Sequence, residues 1–223
     1  MRLDPAAEGN MGLTYGYDIY LPPGNVARAL TAVAELAPPS HAVPPLDVTL
    51  PGGDRLVLPF TSGFGSDPVD CSSIGTLRLD TSLMFGVDEA VRAYGESSGL
   101  PPEVSGRVQI GYVYLAARFE SFLHPGYTSL EFWAATSGMS RLFARSASIR
   151  KTFTDLTAAV GGVCCLFDTG DGGPEEVCWL NGEETRLWVG GARFPDQRAL
   201  VATWPDAGVT DSLRPPSAPG GSE

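Results

Sequence analysis

The chain is 223 residues long and 43% hydrophobic, enough to bury a sizeable core in one large domain or two small ones. Its formal net charge of −11, with Lys151 as the sole lysine, argues against a nucleic-acid binder, which needs clustered Lys and Arg to neutralise phosphates. No apolar run approaches the roughly 18–20 residues that cross a bilayer, and the start Met1-Arg2-Leu3-Asp4-Pro5 lacks the apolar core of a signal peptide, so the expected location is cytoplasmic with no membrane anchor.

Residues 1–10 read as a disordered extension, with Met11 as an alternative natural start. Tyr15, Tyr17, Ile19 and Leu21 alternate with Gly16, Asp18 and Tyr20, the period of a strand. Pro22-Pro23-Gly24 breaks it, and Asn25 is placed to cap a helix beginning at Val26. Val26, Leu30, Val33 and Ala37 form one stripe of that helix before Pro38 and Pro39 stop it. Leu46–Leu50 and Leu56–Phe60 alternate on either side of Pro51-Gly52-Gly53-Asp54, a hairpin signal. A loop over Gly52–Asp54 would pair Leu50 with Leu56 and Val48 with Leu58.

The middle segment, 61–127, reads as β-rich. After a surface loop come an amphipathic strand from Leu77 to Phe85, a short helix from Val87 to Tyr94 and a long strand from Val108 to Phe119. The pattern of the first part then returns. Ser129 to Ala134 alternates, Thr136 to Ala147 suggests a short helix, and Ser148 is placed to cap a second one with the stripe Ile149, Phe153, Leu156 and Val160. Gly161 stands where helices end in a left-handed residue. Gly162–Asp168 and Glu176–Leu180 flank the turn Gly170-Asp171-Gly172-Gly173-Pro174 as a further hairpin, and Pro195 to Trp204 suggests a short last helix. Asp206 to Glu223 has the composition of a disordered tail.

The expected fold is therefore α+β: two strand–helix–strand–strand repeats, about 13–60 and 128–181, forming a mainly antiparallel sheet with helices on one face. Residues 11–205 would make a single domain.

Parity supplies the candidate site. If Ile19 and Phe132 face the helices, Asp18 with Tyr20, and Glu131 with Trp133, stand on the opposite sheet face. Converging across a pseudo-twofold axis, the four would make an acidic, aromatic-walled groove suited to a cation. The plainer alternative is that Asp18 and Glu131 pair with arginines on a solvated face. In the second hairpin, either Cys164 or Cys165 must share a face with Cys178, and packing is the expected role of these thiols.

Other chemistries lack their signatures. His41 and His124 both lie in Pro-containing stretches and read as exposed loop residues, with no Gly-x-Ser-x-Gly elbow to accompany them. Gly170–Gly173 is followed by no Gly-Lys-Ser/Thr, and Asp168 with Asp171 lacks the terminal Glu of a calcium loop. The pairs Glu175-Glu176 and Glu183-Glu184 read as solvated, and Asp88-Glu89 as helix N-terminal charge. No catalytic residue, metal ligand or cofactor is assigned.

The order of elements over Tyr15–Phe60 and Ser129–Leu180 resembles that of the GyrI-like effector-binding proteins. That resemblance implies tandem strand–helix–strand–strand units with a ligand in the groove between them. It also implies an acidic residue among aromatics that receives cationic drugs, here Glu131 with Trp133 or Asp18 with Tyr20. The sequence is thus read as a non-enzymatic binding protein for a small cationic or amphipathic molecule. The alternatives are an acidic intracellular interaction module, of immunity or inhibitor type, that blocks a basic protein, and an enzyme using scattered acidic residues or Cys71.

Overall fold

A computed structural model of the chain describes residues 13–39, 43–101, 103–170 and 174–205. The expected extension (1–10), the expected tail (206–223), His41 and turn residues 171–173 lie outside the described residues.

The fold is α+β. Strands β1 (Gly16–Leu21), β2 (Leu46–Thr49), β3 (Arg55–Leu58), β4 (Val69–Asp70), β5 (Thr76–Gly86), β6 (Arg107–Arg118), β7 (Thr128–Ala134), β8 (Cys164–Asp168), β9 (Glu176–Leu180) and β10 (Glu183–Trp188) make two sheets. The larger has seven strands in the order β10-β9-β8-β1-β7-β6-β5, with every neighbouring pair antiparallel. The smaller has the order β3-β2-β4.

The first hairpin forms, but in the smaller sheet and in a different register. Val48 pairs with Leu56 and Leu46 with Leu58, because the Leu50 N–H donates to the Asp54 carbonyl at 2.8 Å, which sets Leu50 against Asp54 and moves the three-residue turn back by one, to Pro51–Gly53. The change is by two residues, which preserves parity. Leu46, Val48, Leu50, Leu58 and Phe60 accordingly still reach the core together. In the main sheet, the edge of β7 is taken instead by β6, a 12-residue strand that in turn pairs with the 11-residue β5. Strand β10 has no counterpart in the expected elements. Its signal is Asn181-Gly182, whose left-handed φ values of 49° and 99° turn β9 back on itself.

Among the described residues five helices complete the fold: α1 (Val26–Ala34), α2 (Glu89–Ser98), α3 (Ser137–Arg145), α4 (Ala147–Ala159) and α5 (Gln197–Val201). Asn25 does not cap α1, since Pro23–Asn25 is itself a 3-10 turn that leaves the Asn25 side chain without a cap bond. Ser146 rather than Ser148 caps α4, accepting from the Ile149 N–H at 3.1 Å. Helix α2 runs past Gly95 to a left-handed Gly99. Asp88 does more than lend charge to it. Its Oδ1 accepts from the Val91 N–H at 2.9 Å, capping α2, while Oδ2 accepts from the Ser148 N–H at 3.0 Å and the Ser146 hydroxyl at 2.8 Å. Burial opposes the charge on Asp88, but these bonds outweigh it and hold the carboxyl below its ordinary range.

The alternating side chains of the main sheet feed two cores. On one face Tyr17, Ile19, Leu130, Phe132, Cys165 and Phe167 join the buried side chains of α1 to α4. Phe153 of α4 is the hub: its ring stacks on Tyr17 at 4.4 Å and lies 5.0 Å from Phe132, 5.8 Å from Phe85 and 5.9 Å from Phe143. On the other face Tyr20, Cys164, Leu166 and Val177 meet Phe194, Leu200 and Trp204. Helix α5 thus lies on the face opposite the other four. Cys165 and Cys178 share the first core and Cys164 belongs to the second, which settles the parity left open by the sequence.

Truncating the hub leaves a void between a helix and three strands. Phe153→Ala should cost about 3–5 kcal/mol in denaturant unfolding, and Phe153→Leu clearly less; equal, small losses in both variants would contradict the packing described.

Candidate functional site

On the face opposite α4, three rows of side chains cross the sheet. The pairings place Asp80, Tyr114, Trp133, Gly16 and Asp168 in one row, Arg78, Ala116, Glu131, Asp18 and Leu166 in the next, and Thr76, Arg118, Ser129, Tyr20 and Cys164 in the third. Asp18 and Glu131 are thus direct partners across β1 and β7. Side chains so opposed are close neighbours, and like charges there repel.

The two carboxyls meet that repulsion differently. Glu131 is buried and ion-paired, its Oε1 accepting from Arg118 Nε at 2.6 Å and from the Ser129 hydroxyl at 2.9 Å. The Arg118 guanidinium also lies 4.3 Å over the ring of Phe122. Glu131 thus has the arginine partner of the plainer alternative, but on a buried face rather than a solvated one. Asp18 has no such partner: its Oδ1 is sealed from solvent and accepts no hydrogen bond. Burial, then repulsion by Glu131, Asp168 and Glu175, holds the Asp18 carboxyl well above the ordinary aspartate range, favouring its neutral form.

Tyr20 and Trp133 also part company. Tyr20 is buried against Trp204, ring centroids 4.9 Å apart, within the second core. A strap from Val189 to Pro205 makes that cover. Gln197 Nε2 donates to Glu175 Oε1 at 2.7 Å, Asn181 Nδ2 donates to the Thr203 carbonyl at 2.7 Å, and the Tyr127 hydroxyl donates to the Pro205 carbonyl. His124 is not an exposed loop residue, because it wedges against Tyr127 and Trp204. Nor is Glu175 solvated: its Oε2 is buried without a partner, and burial raises its pKa.

Trp133 instead walls a cavity of about 440 Å³ beyond the strap, over β5, β6 and β7. Tyr114, Arg78, Asp80, Ala116 and Thr14 also line it. Gly16 makes room for the indole: a Cβ there would stand 2.7 Å from Trp133 Cδ1 and 2.5 Å from the Phe132 carbonyl oxygen. Asp80 is fixed by donors outside the cavity, its Oδ2 accepting from the Phe64 N–H at 2.6 Å and from the Thr61 hydroxyl at 3.3 Å. Phe64 is held at φ 59° and exposed, its ring edge-on to Tyr112. The sheet row that gives the cavity Arg78 and Ala116 continues, beyond its lining, to Glu131 and Asp18. The structure therefore brings Asp18 and Glu131 together, puts Trp133 beside them at an opening and closes Tyr20 off. Sequence reasoning missed Arg118, Tyr114, Arg78 and Asp80, whose places depend on the distant pairing of β5 and β6 with β7.

Among the described residues no group of three or more His, Cys, Asp or Glu side chains is arranged to hold a metal ion. No helix among them is long and apolar enough to cross a membrane. Comparison with protein-family models, with curated proteins and with solved structures finds no match to this chain. The resemblance to GyrI-like proteins accordingly rests on the order of elements alone.

The raised pKa of Asp18 fixes a sign. Between the unfolded and folded pKa values the folded chain holds a proton that the unfolded chain has released, so stability falls as pH rises from the ordinary aspartate range upward. Asp18→Asn removes that loss. Melting scans across acid to neutral pH should show the variant gaining on the wild type as pH rises, by about 2–4 °C at neutral pH if about 1 kcal/mol is recovered; curves that stay parallel would contradict the assignment.

Proposed function

We propose that the chain is a non-enzymatic binding protein for a small amphipathic molecule that carries a positive charge. The observation that carries this reading is the cavity of about 440 Å³ flanked by the Trp133 indole and Tyr114 phenol, with Asp80 on its wall and Glu131 next to Ala116 in the sheet row just beyond the lining. The volume lies within the range of small-molecule sites, about 300–1,000 Å³. Ring faces attract a cation by roughly 0.5–2 kcal/mol, Asp80 supplies a carboxylate on the wall, and the net charge of −11 raises the local concentration of cations at the surface. Apolar contact with Ala116 and Ala135 suits the uncharged part of such a ligand.

Tyr20 has no part in this site as the chain stands, since Trp204 covers it. Neither Asp18 nor Glu131 lines the cavity; Glu131 acts on a ligand from beyond the lining, next to Ala116 in the sheet row. The four cysteines are buried thiols that suit a reducing, cytoplasmic setting. The rival reading, a module for a basic protein, needs a broad acidic face; the exposed side chains beside the cavity are instead Phe64, Tyr112 and Arg78.

Titration with a panel of aromatic cations and their neutral isosteres, read by tryptophan fluorescence and calorimetry, tests the proposal. The expected result is saturable binding of cations, at least tenfold weaker for the isosteres, lost in Trp133→Ala and weakened in Glu131→Gln. Binding that ignores both substitutions, or none across the panel, would overturn it.

A further inference from the structure

A second cavity lies on the other side of the molecule, and its chemistry is opposite. It has a volume of about 550 Å³ and is formed between α4 and the edge strand β10 by Ala147, Arg150, Lys151, Thr154, Glu184, Thr185 and Arg186. A smaller cavity of about 200 Å³ adjoins it, sharing Ala147, Arg150 and Arg186 and adding Arg145 and Glu176. Four basic side chains, Arg145, Arg150, Lys151 and Arg186, thus face two acidic ones, Glu176 and Glu184. The chain as a whole has 15 basic against 26 acidic residues. A cationic cleft is therefore concentrated where the average charge would not put one.

Its construction is specific. Alternation along a strand would send neighbouring side chains to opposite faces, yet three consecutive residues of β10, Glu184, Thr185 and Arg186, line the same cleft. A bulge between Glu184 and Leu187 makes this possible by adding a residue to β10 against β9. The same bulge places the Thr185 carbonyl to accept from Arg150 Nη2 at 2.8 Å, while Arg150 Nη1 pairs with Glu176 at 2.9 Å. Arg150 is so fixed in direction between the two cavities. The acids are already engaged, Glu176 by Arg150 and Glu184 by the Thr154 hydroxyl at 3.2 Å, while Lys151 is paired along the exposed side of α4 with Asp155 at 2.6 Å. Among the described residues, Arg145 and Arg186 have no acidic group within ion-pair distance.

We propose that this cleft binds the phosphate group of a small phosphate ester between Arg186 and Arg150, with Lys151 and Arg145 at its two ends. Guanidinium groups present paired N–H donors that match the oxygens of a tetrahedral oxyanion. The rim carries Ala147 and hydroxyl-bearing Thr154 and Thr185 for the remainder of the ligand. This site is separate from the proposed cation cavity, shares no residue with it and stands without it.

Inorganic phosphate and pyrophosphate, titrated calorimetrically into the full chain against sodium chloride of equal ionic strength, test the site. The expected result is saturable binding, tighter for pyrophosphate, weakened at least tenfold by Arg186→Ala and abolished by Arg186→Glu, with Arg55→Ala, an exposed arginine of the smaller sheet, unchanged. Arg186 is exposed and, among the described residues, has no acidic group within ion-pair distance, so circular dichroism should be unaltered. No binding beyond the chloride control, or equal weakening in Arg55→Ala and Arg186→Ala, would overturn the proposal.

Discussion

The antiparallel pairing of β1 with β7 in the interior of the seven-stranded sheet sets Asp18 directly against Glu131, and the remaining architecture accommodates that contact. Two carboxylates in such a place cannot both stay charged without compensation, since burial and proximity each disfavour the second charge. One is neutralised by Arg118, delivered from β6 on the far side of β7. The other is pushed toward its neutral form by burial and by the carboxylates around it. The strand order around the pair is thus an electrostatic arrangement as well as a hydrogen-bonded one, for without β6 beside β7 the glutamate would lose its partner.

The same pairing divides the molecule into two unlike cores. Toward α4 the sheet offers rings and branched side chains packed closely around Phe153. Away from it, the sheet carries Asp18, Glu131, Asp168 and the Tyr20 phenol, and only part of this polar face is covered, by the strap ending at Trp204. The cover is imperfect. Asp18 Oδ1, Glu175 Oε2 and the Trp204 indole nitrogen are all buried without partners, each a free-energy cost of about 1–3 kcal/mol that a purely structural sheet would have avoided.

Much of this was legible in the sequence, because it depends on local period. Alternation from Tyr15 to Leu21 and from Leu130 to Ala134 assigned Asp18, Tyr20, Glu131 and Trp133 to one face, and the spacing of Ile149, Phe153, Leu156 and Val160 identified the buried stripe of α4. What escaped depends on contacts between distant segments. Nothing near Glu131 in the chain announces Arg118, which arrives through the register of β6 on β7. Nothing near Tyr20 announces Trp204. The first hairpin joined a separate sheet because the longer β5 and β6 occupy the edge of β7. Strand β10 was a different kind of omission, since Asn181-Gly182 is a hairpin signal in plain view; its polar, largely exposed residues concealed it, and with it the Arg186 cleft.

The titration of the Asp18 carboxyl carbon, followed by NMR in the wild type and in Glu131→Gln, bears most directly on the opposed pair. The account predicts a midpoint well above the ordinary aspartate range in the wild type, moving downward when Glu131 loses its charge. An Asp18 that titrates like a free aspartate, with the same midpoint in both proteins, would contradict it.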